Sequence, residues 1–285
     1  VGTTWALASF SSGRSGAFTA TTLPPNTTLT LDKASITVSI EKEVPVADLV
    51  SDGPIVAKSI SAGARAGQFE VAADMKPAKQ VGGDFFGYFM VDDKTLGLAV
   101  GDVSGKGIPA AIFMSVTRTV LKTIARRGHP AGEVVAALND LLAEDNSESM
   151  FVTLCYARLD LETGRLDYAN AAHEEAYILR ADGTPEQIGP EGPAVGLFEG
   201  MPYGDGERML VPGDTVIFGT DGITEAFGQG GAMFGTERFT ALMARLKGAA
   251  VKDTVGGIMA DVLAFAEGVP QSDDITCLVT RYIGP

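Results

Sequence analysis

The sequence predicts an α+β domain whose sheets are covered by helices, and three observations support that expectation. Runs of strand character are joined by short turns rich in Asp, Glu and Gly, at residues 92–94, 162–164 and 181–183. Helical patterns are grouped between these runs rather than alternating with them one for one, which disfavours a parallel βαβ sheet. The 285 residues are 45% hydrophobic, enough for one large domain, or one domain with an appendage.

Residues 1–60 differ in texture. Ser, Thr, Gly and Pro dominate, with one alternating run at 28–40, so the stretch reads as a β-rich appendage, a tail or the remains of an upstream module. Residues 61–285 read as the main domain. Strands are expected at 69–73, 85–91 and 96–103. A helix follows: Pro109 suits its first turn, Ile108, Ile112, Phe113, Val116, Val120, Leu121 and Ile124 make one apolar stripe, and Arg126, Arg127 and Gly128 signal its end. A second helix is expected at 130–143, then strands at 151–159, 166–171, 176–180, 208–211 and 214–220. Helices at 236–246 and 252–266 precede a last strand at 275–282. No internal repeat of solenoid length is present.

The charge narrows the function. Taking 36 acidic from 22 basic residues leaves −14, which argues against nucleic-acid or anionic-membrane partners, since both require clustered Lys and Arg. No uninterrupted apolar run approaches the roughly 18 residues of a membrane span, and Val1-Gly2-Thr3-Thr4-Trp5 lacks the basic flank of a leader, so a cytoplasmic location is expected. Cys155 and Cys277 lie in apolar strand-like runs and read as buried thiols of a reducing compartment.

Four polar turns at strand ends repeat one signature: Gly83-Asp84, Gly101-Asp102, Thr220-Asp221-Gly222 and Ser272-Asp273-Asp274. A single Asp in a turn usually serves its own backbone. Repeated strand-end carboxylates beside glycine, in a chain with only two His, suit hard cations such as Mg²⁺ or Mn²⁺, which accept oxygen ligands and keep several waters. Such a pair of ions can deliver hydroxide and neutralise a phosphoryl group. Two other motif readings fail. The Gly-Gly-Asp-Glu-Phe loop of cyclic-dinucleotide synthases needs an acid where Phe85 stands, and a Walker A loop needs Gly at Val100 and Ser or Thr at Gly107.

The ordered motifs Val81-Gly82-Gly83-Asp84-Phe85-Phe86, Gly101-Asp102-Val103-Ser104-Gly105-Lys106-Gly107, Ala171-Ala172-His173-Glu174, Thr220-Asp221-Gly222-Ile223-Thr224-Glu225, Phe234-Gly235-Thr236-Glu237-Arg238 and Ser272-Asp273-Asp274-Ile275-Thr276 make residues 68–283 resemble the SpoIIE/RsbU branch of the protein phosphatase 2C-like (PPM) superfamily. The resemblance implies two packed antiparallel β-sheets flanked by helices, an αββα sandwich. It implies a metal-dependent protein serine/threonine phosphatase using two Mn²⁺ or Mg²⁺ ions, with a third position near Gly222 in some relatives. Asp102 would bridge the ions, with the Val103 carbonyl beside it; Asp221 and Asp273 would be further metal ligands, Asp84 would act through water, and Asp274 would be a candidate ligand. A metal-bound hydroxide would displace the Ser or Thr oxygen directly, with Asp84 and Asp102 as catalytic carboxylates.

By the same resemblance the substrate is a phosphorylated STAS-domain protein, an anti-anti-sigma factor of a partner-switching pathway. The rival reading is a pseudophosphatase, a phosphoprotein-binding regulatory module, whose expected mark is loss of one of Asp102, Asp221 and Asp273; all are present. Relatives often dimerise through a preceding helical linker, which residues 48–66 match weakly; a homodimer is the corresponding expectation. Lys79 stands where relatives carry a phosphate-binding Arg, and reads equally as a solvated lysine. The His proposed as leaving-group acid in eukaryotic relatives is absent, Val103 and Ser104 following Asp102, and Gly87 replaces an Asp common in the branch. Lys106 and Ser104 could touch substrate phosphate or simply shape a strand-to-helix turn, and His173 is expected to order its loop rather than do chemistry.

Overall fold

The computed structural model describes residues 27–32, 35–40, 55–56, 67–79, 82–144, 146, 148–189 and 192–285. The chain divides into two compact units, Val1–Asp52 and Gly53–Pro285. The first contains an antiparallel hairpin of β1 (Thr27–Asp32) and β2 (Ser35–Ile40), with Leu29 opposite Val38. The alternating run read as one strand at 28–40 is therefore two, and most of the expected linker at 48–66 lies outside the described residues. Its described part is β3 (Ile55–Val56), a short strand against Ala72 and Ala73.

The second unit contains β4 (Phe69–Lys76), β5 (Phe85–Met90), β6 (Thr95–Val103), α1 (Ile108–Ala125), α2 (Ala131–Ala143), β7 (Val152–Asp160) and β8 (Arg165–Ala171). It continues through β9 (Ala176–Leu179), β10 (Pro185–Ile188), β11 (Gly206–Met209), β12 (Thr215–Gly219), α3 (Asp221–Thr224), α4 (Gly235–Arg245), α5 (Val251–Phe265) and β13 (Ile275–Tyr282). Hydrogen bonding orders the strands as β10-β9-β12-β13-β4-β3 in one antiparallel sheet and β11-β8-β7-β6-β5 in the other.

Three apolar layers hold this unit together. Alternation in β6 sends Leu96, Leu98 and Val100 into the layer shared with Val216, Phe218 and Leu278, while Ala99 and Val103 join Leu121, Val134 and Leu138 under α1 and α2. On the far side Ile217, Cys277 and Val279 pack with Val255, Ile258 and Phe239 of α4 and α5. Strands between two such layers are buried on both faces, which is why β6, β12 and β13 read as nearly continuous apolar runs. Cys155 and Cys277 are buried free thiols, and burial pushes the Cys155 thiol up to about 12.

The apolar stripe expected on α1 is not one face. Ile108, Ile112 and Val116 are 73, 61 and 47% exposed, whereas Leu121 and Ile124 are buried. Among the described residues α1 is also the one helix of a length and mean hydropathy (1.3 over 18 residues) compatible with a membrane span, although only 28% of it is buried. Its apolar residues are interrupted by Ser115, Thr117, Arg118, Thr119, Lys122 and Thr123, so it contains no unbroken apolar run of that length.

Candidate functional site

Antiparallel neighbours bring the end of one strand beside the start of the next, and this geometry assembles the four Asp-bearing turns. Asp84 immediately precedes β5, and Asp102 is the penultimate residue of β6, its partner strand. Asp221 follows β12 as the first residue of α3, and Asp273 and Asp274 immediately precede β13, the partner of β12. A cleft lined by Lys79, Gly82, Gly83, Asp102, Lys106 and Asp273 opens among these turns, with Asp274 and Gly105 also on its wall.

Asp84 is the most deeply held carboxylate, 1% exposed. Its Oδ2 accepts hydrogen bonds from Thr220 Oγ1 at 2.7 Å and Thr276 Oγ1 at 2.6 Å. Thr220 Oγ1 in turn accepts from the Thr276 backbone N–H at 3.1 Å, so one network locks α3, β13 and the start of β5. Neither threonine was singled out from sequence, although each flanks a motif Asp; a carboxylate with nearby hydroxyl donors was the available signal.

Asp274, a candidate metal ligand from the sequence, has both carboxylate oxygens engaged by backbone N–H groups. Its Oδ1 accepts the Ala78 N–H at 2.7 Å, and its Oδ2 accepts those of Gly83 at 2.8 Å and Asp84 at 3.4 Å. Both oxygens thus clamp the segment that carries Lys79 and Asp84. Gly222 is explained by the same neighbourhood: an added Cβ would stand 1.9 Å from the Asp274 carbonyl oxygen. At Gly83, a cleft residue, an added Cβ would stand 2.8 Å from the Val103 carbonyl oxygen, so that expected ligand packs directly behind Gly83.

The electrostatics record crowding of like charges. Burial, then Asp221 and Asp273, push the Asp102 carboxyl up to about 7. Burial, then Asp102, raise Asp84 well above the usual carboxylate range, and burial followed by Asp273 raises Asp221. Asp102 and Asp84 interact directly through their side chains, so they titrate as a pair. The cation placed against this cluster is Lys106, whose Nζ lies 2.9 Å from Asp273 Oδ2 and 2.9 Å from the Ser272 carbonyl oxygen.

Among the described residues no three His, Cys, Asp or Glu side chains already stand around a common point as a finished metal cage. The donor chemistry nevertheless fits a hard divalent cation. The site is built of carboxylates from distant segments, their mutual repulsion lacks a full counter-charge, and Lys106 holds Asp273 with a replaceable surface contact. Asp102, Asp221 and Asp273, with the Val103 carbonyl, are the groups that would take the ions. Lys79 is exposed at the rim of the cleft, compatible with contact to a phosphate and with simple solvation.

The remaining candidates take structural places. Ser104 exchanges two bonds with Phe151, its N–H donating to the Phe151 carbonyl and its Oγ accepting the Phe151 N–H, which fixes the turn into α1. His173 donates its backbone N–H to Asn170 Oδ1, and its Nδ1 lies 2.9 Å from Thr153 Oγ1, Thr153 being the residue opposite Asp102 in the sheet. Burial pushes its imidazole down to about 4, so it stays neutral near pH 7. Gly87 is buried, with nothing within 4 Å of an added Cβ.

Comparison with known proteins decides the family. The model of Stage II sporulation protein E (SpoIIE) matches residues 92–283. The chain belongs to the SpoIIE family. It is 29% identical over 240 residues to Protein IcfG of Synechocystis, covering 74% of this chain and 37% of that protein. It is 31% identical over 157 residues to phosphoserine phosphatase RsbU of Bacillus subtilis, covering 55% and 47%. The chain thus spans less than half the length of these curated relatives. Among solved structures, the RsbU and RsbW domains of Rv1364c from Mycobacterium tuberculosis superpose with a TM-score of 0.66 at 27% identity, covering 76% of this chain and 60% of that one. The sandwich of two antiparallel sheets with flanking helices is thus the SpoIIE-family, protein phosphatase 2C-like fold.

Proposed function

We propose that this SpoIIE-family chain is a phosphatase that removes phosphate from phosphoserine or phosphothreonine of a regulatory protein, with two Mn²⁺ or Mg²⁺ ions as cofactors. One observation carries the reading: Asp102 and Asp273 line one cleft, and Asp221 and Asp84, from segments as far apart in the chain as residues 84 and 273, lie near enough to share their electrostatics, with the charges poorly balanced. When bound there, divalent cations would supply an ionised water and neutralise the phosphoryl oxygens. The chain's own groups do the rest. Asp102 and Asp221 offer the ligating oxygens, Asp273 turns from Lys106, and Thr220 with Thr276 holds Asp84 in place. Lys106, once released, carries an ammonium group that can steady the phosphate, and Lys79 adds charge at the rim.

A phosphorylated STAS-domain protein is the substrate class we favour, supported by the likeness to RsbU and to a solved chain joining RsbU and RsbW domains. The Lys106–Asp273 contact, which sets an ammonium against an expected metal ligand, gives a second reading, a phosphoprotein-binding module without turnover. Release of p-nitrophenol from its phosphate ester separates the two. Mn²⁺-dependent turnover that disappears in Asp221→Asn supports the enzyme; no turnover at any Mn²⁺ or Mg²⁺ concentration supports the module.

A further inference from the structure

We infer that the cleft between the outer edge of β5 and α1 is a docking groove for an extended acidic stretch of the phosphoprotein substrate. The inference rests on the phosphatase reading and adds what the substrate carries beside its phosphoserine. The chain has 36 acidic residues, yet α1 contains none. Instead Arg118 and Lys122 on α1, and Arg126 at its end, recur every four residues; all are exposed, and none joins an ion pair among the described residues. Like charges spaced this way repel, and in an acidic protein their segregation calls for a counter-charge from outside.

Arg118 and Lys122 overhang a cleft whose other walls include Phe85, Gly87, Tyr88 and Phe89. Lys122 Nζ lies 5.8 Å from the Phe89 ring centroid, and burial followed by Arg126 and Arg118 lowers its proton affinity, as expected of a cation lacking an anion. Among the described residues β5 ends its sheet, bonding only to β6, so alternate main-chain groups on its other side have no strand partner among them. An extended segment can add there beneath the two cations.

Spacing favours a peptide over a small anion. Four helical residues advance about 6 Å, and two extended residues about 6.6 Å, so alternate acids on an added strand meet successive cations. α1 starts two residues past cleft residue Lys106, and Arg118 lies about 15 Å further along the helix. Tyr88, on β5, lies about 13 Å from Asp84 by strand rise. At about 3.3 Å per extended residue, these lengths put the first acid about four to five residues from the phosphoserine.

The test uses the full chain and two fluorescent phosphoserine peptides, one with Glu at three alternate positions starting five residues from the phosphoserine, the other with Gln there. Anisotropy in EDTA reads binding without turnover, and p-nitrophenyl phosphate with Mn²⁺ reads the reaction centre. We expect the Glu peptide to bind about tenfold tighter at low salt, and the preference to vanish in Arg118→Glu/Lys122→Glu and to shrink in Arg118→Gln/Lys122→Gln. Hydrolysis of p-nitrophenyl phosphate should be unchanged in both variants. Equal binding of the two peptides by the wild type, or a Glu preference that survives both double substitutions, overturns the groove. Failure of the wild type to hydrolyse p-nitrophenyl phosphate overturns the phosphatase reading instead, while the anisotropy result still decides the groove.

Discussion

Replacing Asp274 by Asn separates a loop clamp from a metal ligand, because the two roles leave different marks on the metal-free protein. In the structure Asp274 satisfies the N–H groups of Ala78 and Gly83 at 2.7 and 2.8 Å, with a weaker third bond from Asp84 at 3.4 Å. An Asn retains one acceptor oxygen, so one strong N–H faces an NH₂ group instead. Loss of a charged acceptor to a buried donor costs about 1.5–3 kcal/mol. Removing a negative charge from the cluster acts oppositely, but Asp274 is the smallest contributor to the raised pKa of both Asp84 and Asp102, so the lost hydrogen bond should win. For a unit of this size each kcal/mol moves Tm by about 2–4 °C, so the variant should melt about 3–12 °C lower in EDTA. Thermal unfolding by circular dichroism in EDTA, paired with calorimetric Mn²⁺ titration, is the assay. An unchanged Tm in EDTA with Mn²⁺ affinity lost would refute the clamp and return Asp274 to the ligand set.

Other outcomes follow from the same electrostatics. Asp102→Asn should abolish Mn²⁺-dependent p-nitrophenyl phosphate turnover, by at least about 10³-fold, while stabilising the metal-free fold. A folded pKa near 7 against 3.8 unfolded means that ionised Asp102 costs stability as pH rises through that window, so the variant's gain should be absent near pH 4 and reach a few kcal/mol above pH 7, read by urea unfolding in EDTA. His173 has the opposite sign: with its folded pKa lowered to about 4 from 6.5, its stability term is fully present above pH 6.5 and is lost as pH falls towards 4, by about 3 kcal/mol. His173→Gln should flatten that part of the wild-type stability curve; an identical pH slope in both proteins would contradict it. Lys106→Met should tighten Mn²⁺ binding by about two- to fivefold, since it removes a half-exposed ammonium that competes at Asp273; weaker binding would mean that the lysine helps to hold the site together.

Legibility in the sequence followed physical scale. β13 was read at its observed bounds, 275–282, because a strand buried on both faces is a continuous apolar run. β10 was missed because Pro185–Ile188 is a short polar edge strand, held by its pairing to β9 rather than by a pattern of its own. α3 is one turn, too short for any period to register. The α1 stripe misled for a geometric reason: steps of four residues overshoot a 3.6-residue turn by about 40°, so the series 108, 112, 116, 120, 124 winds from solvent into the core. The four Asp-bearing turns were visible as glycine-flanked carboxylates at strand ends. What divides them, Asp84 gripped by two threonines and Asp274 by three N–H groups while Asp273 meets Lys106, depends on contacts across as many as 196 residues, which no local pattern carries.

Calorimetric titration of Mn²⁺ into chelator-stripped protein, wild type beside Asp102→Asn, probes the carboxylate cluster most directly. Near pH 7.5 the wild type should take up two ions per chain with release of protons, since Asp102 and Asp84 bind protons that the cations displace. The variant should lose at least one of the two. Absence of Mn²⁺ uptake by the wild type, or the same stoichiometry and affinity in the variant, would contradict a metal site centred on Asp102.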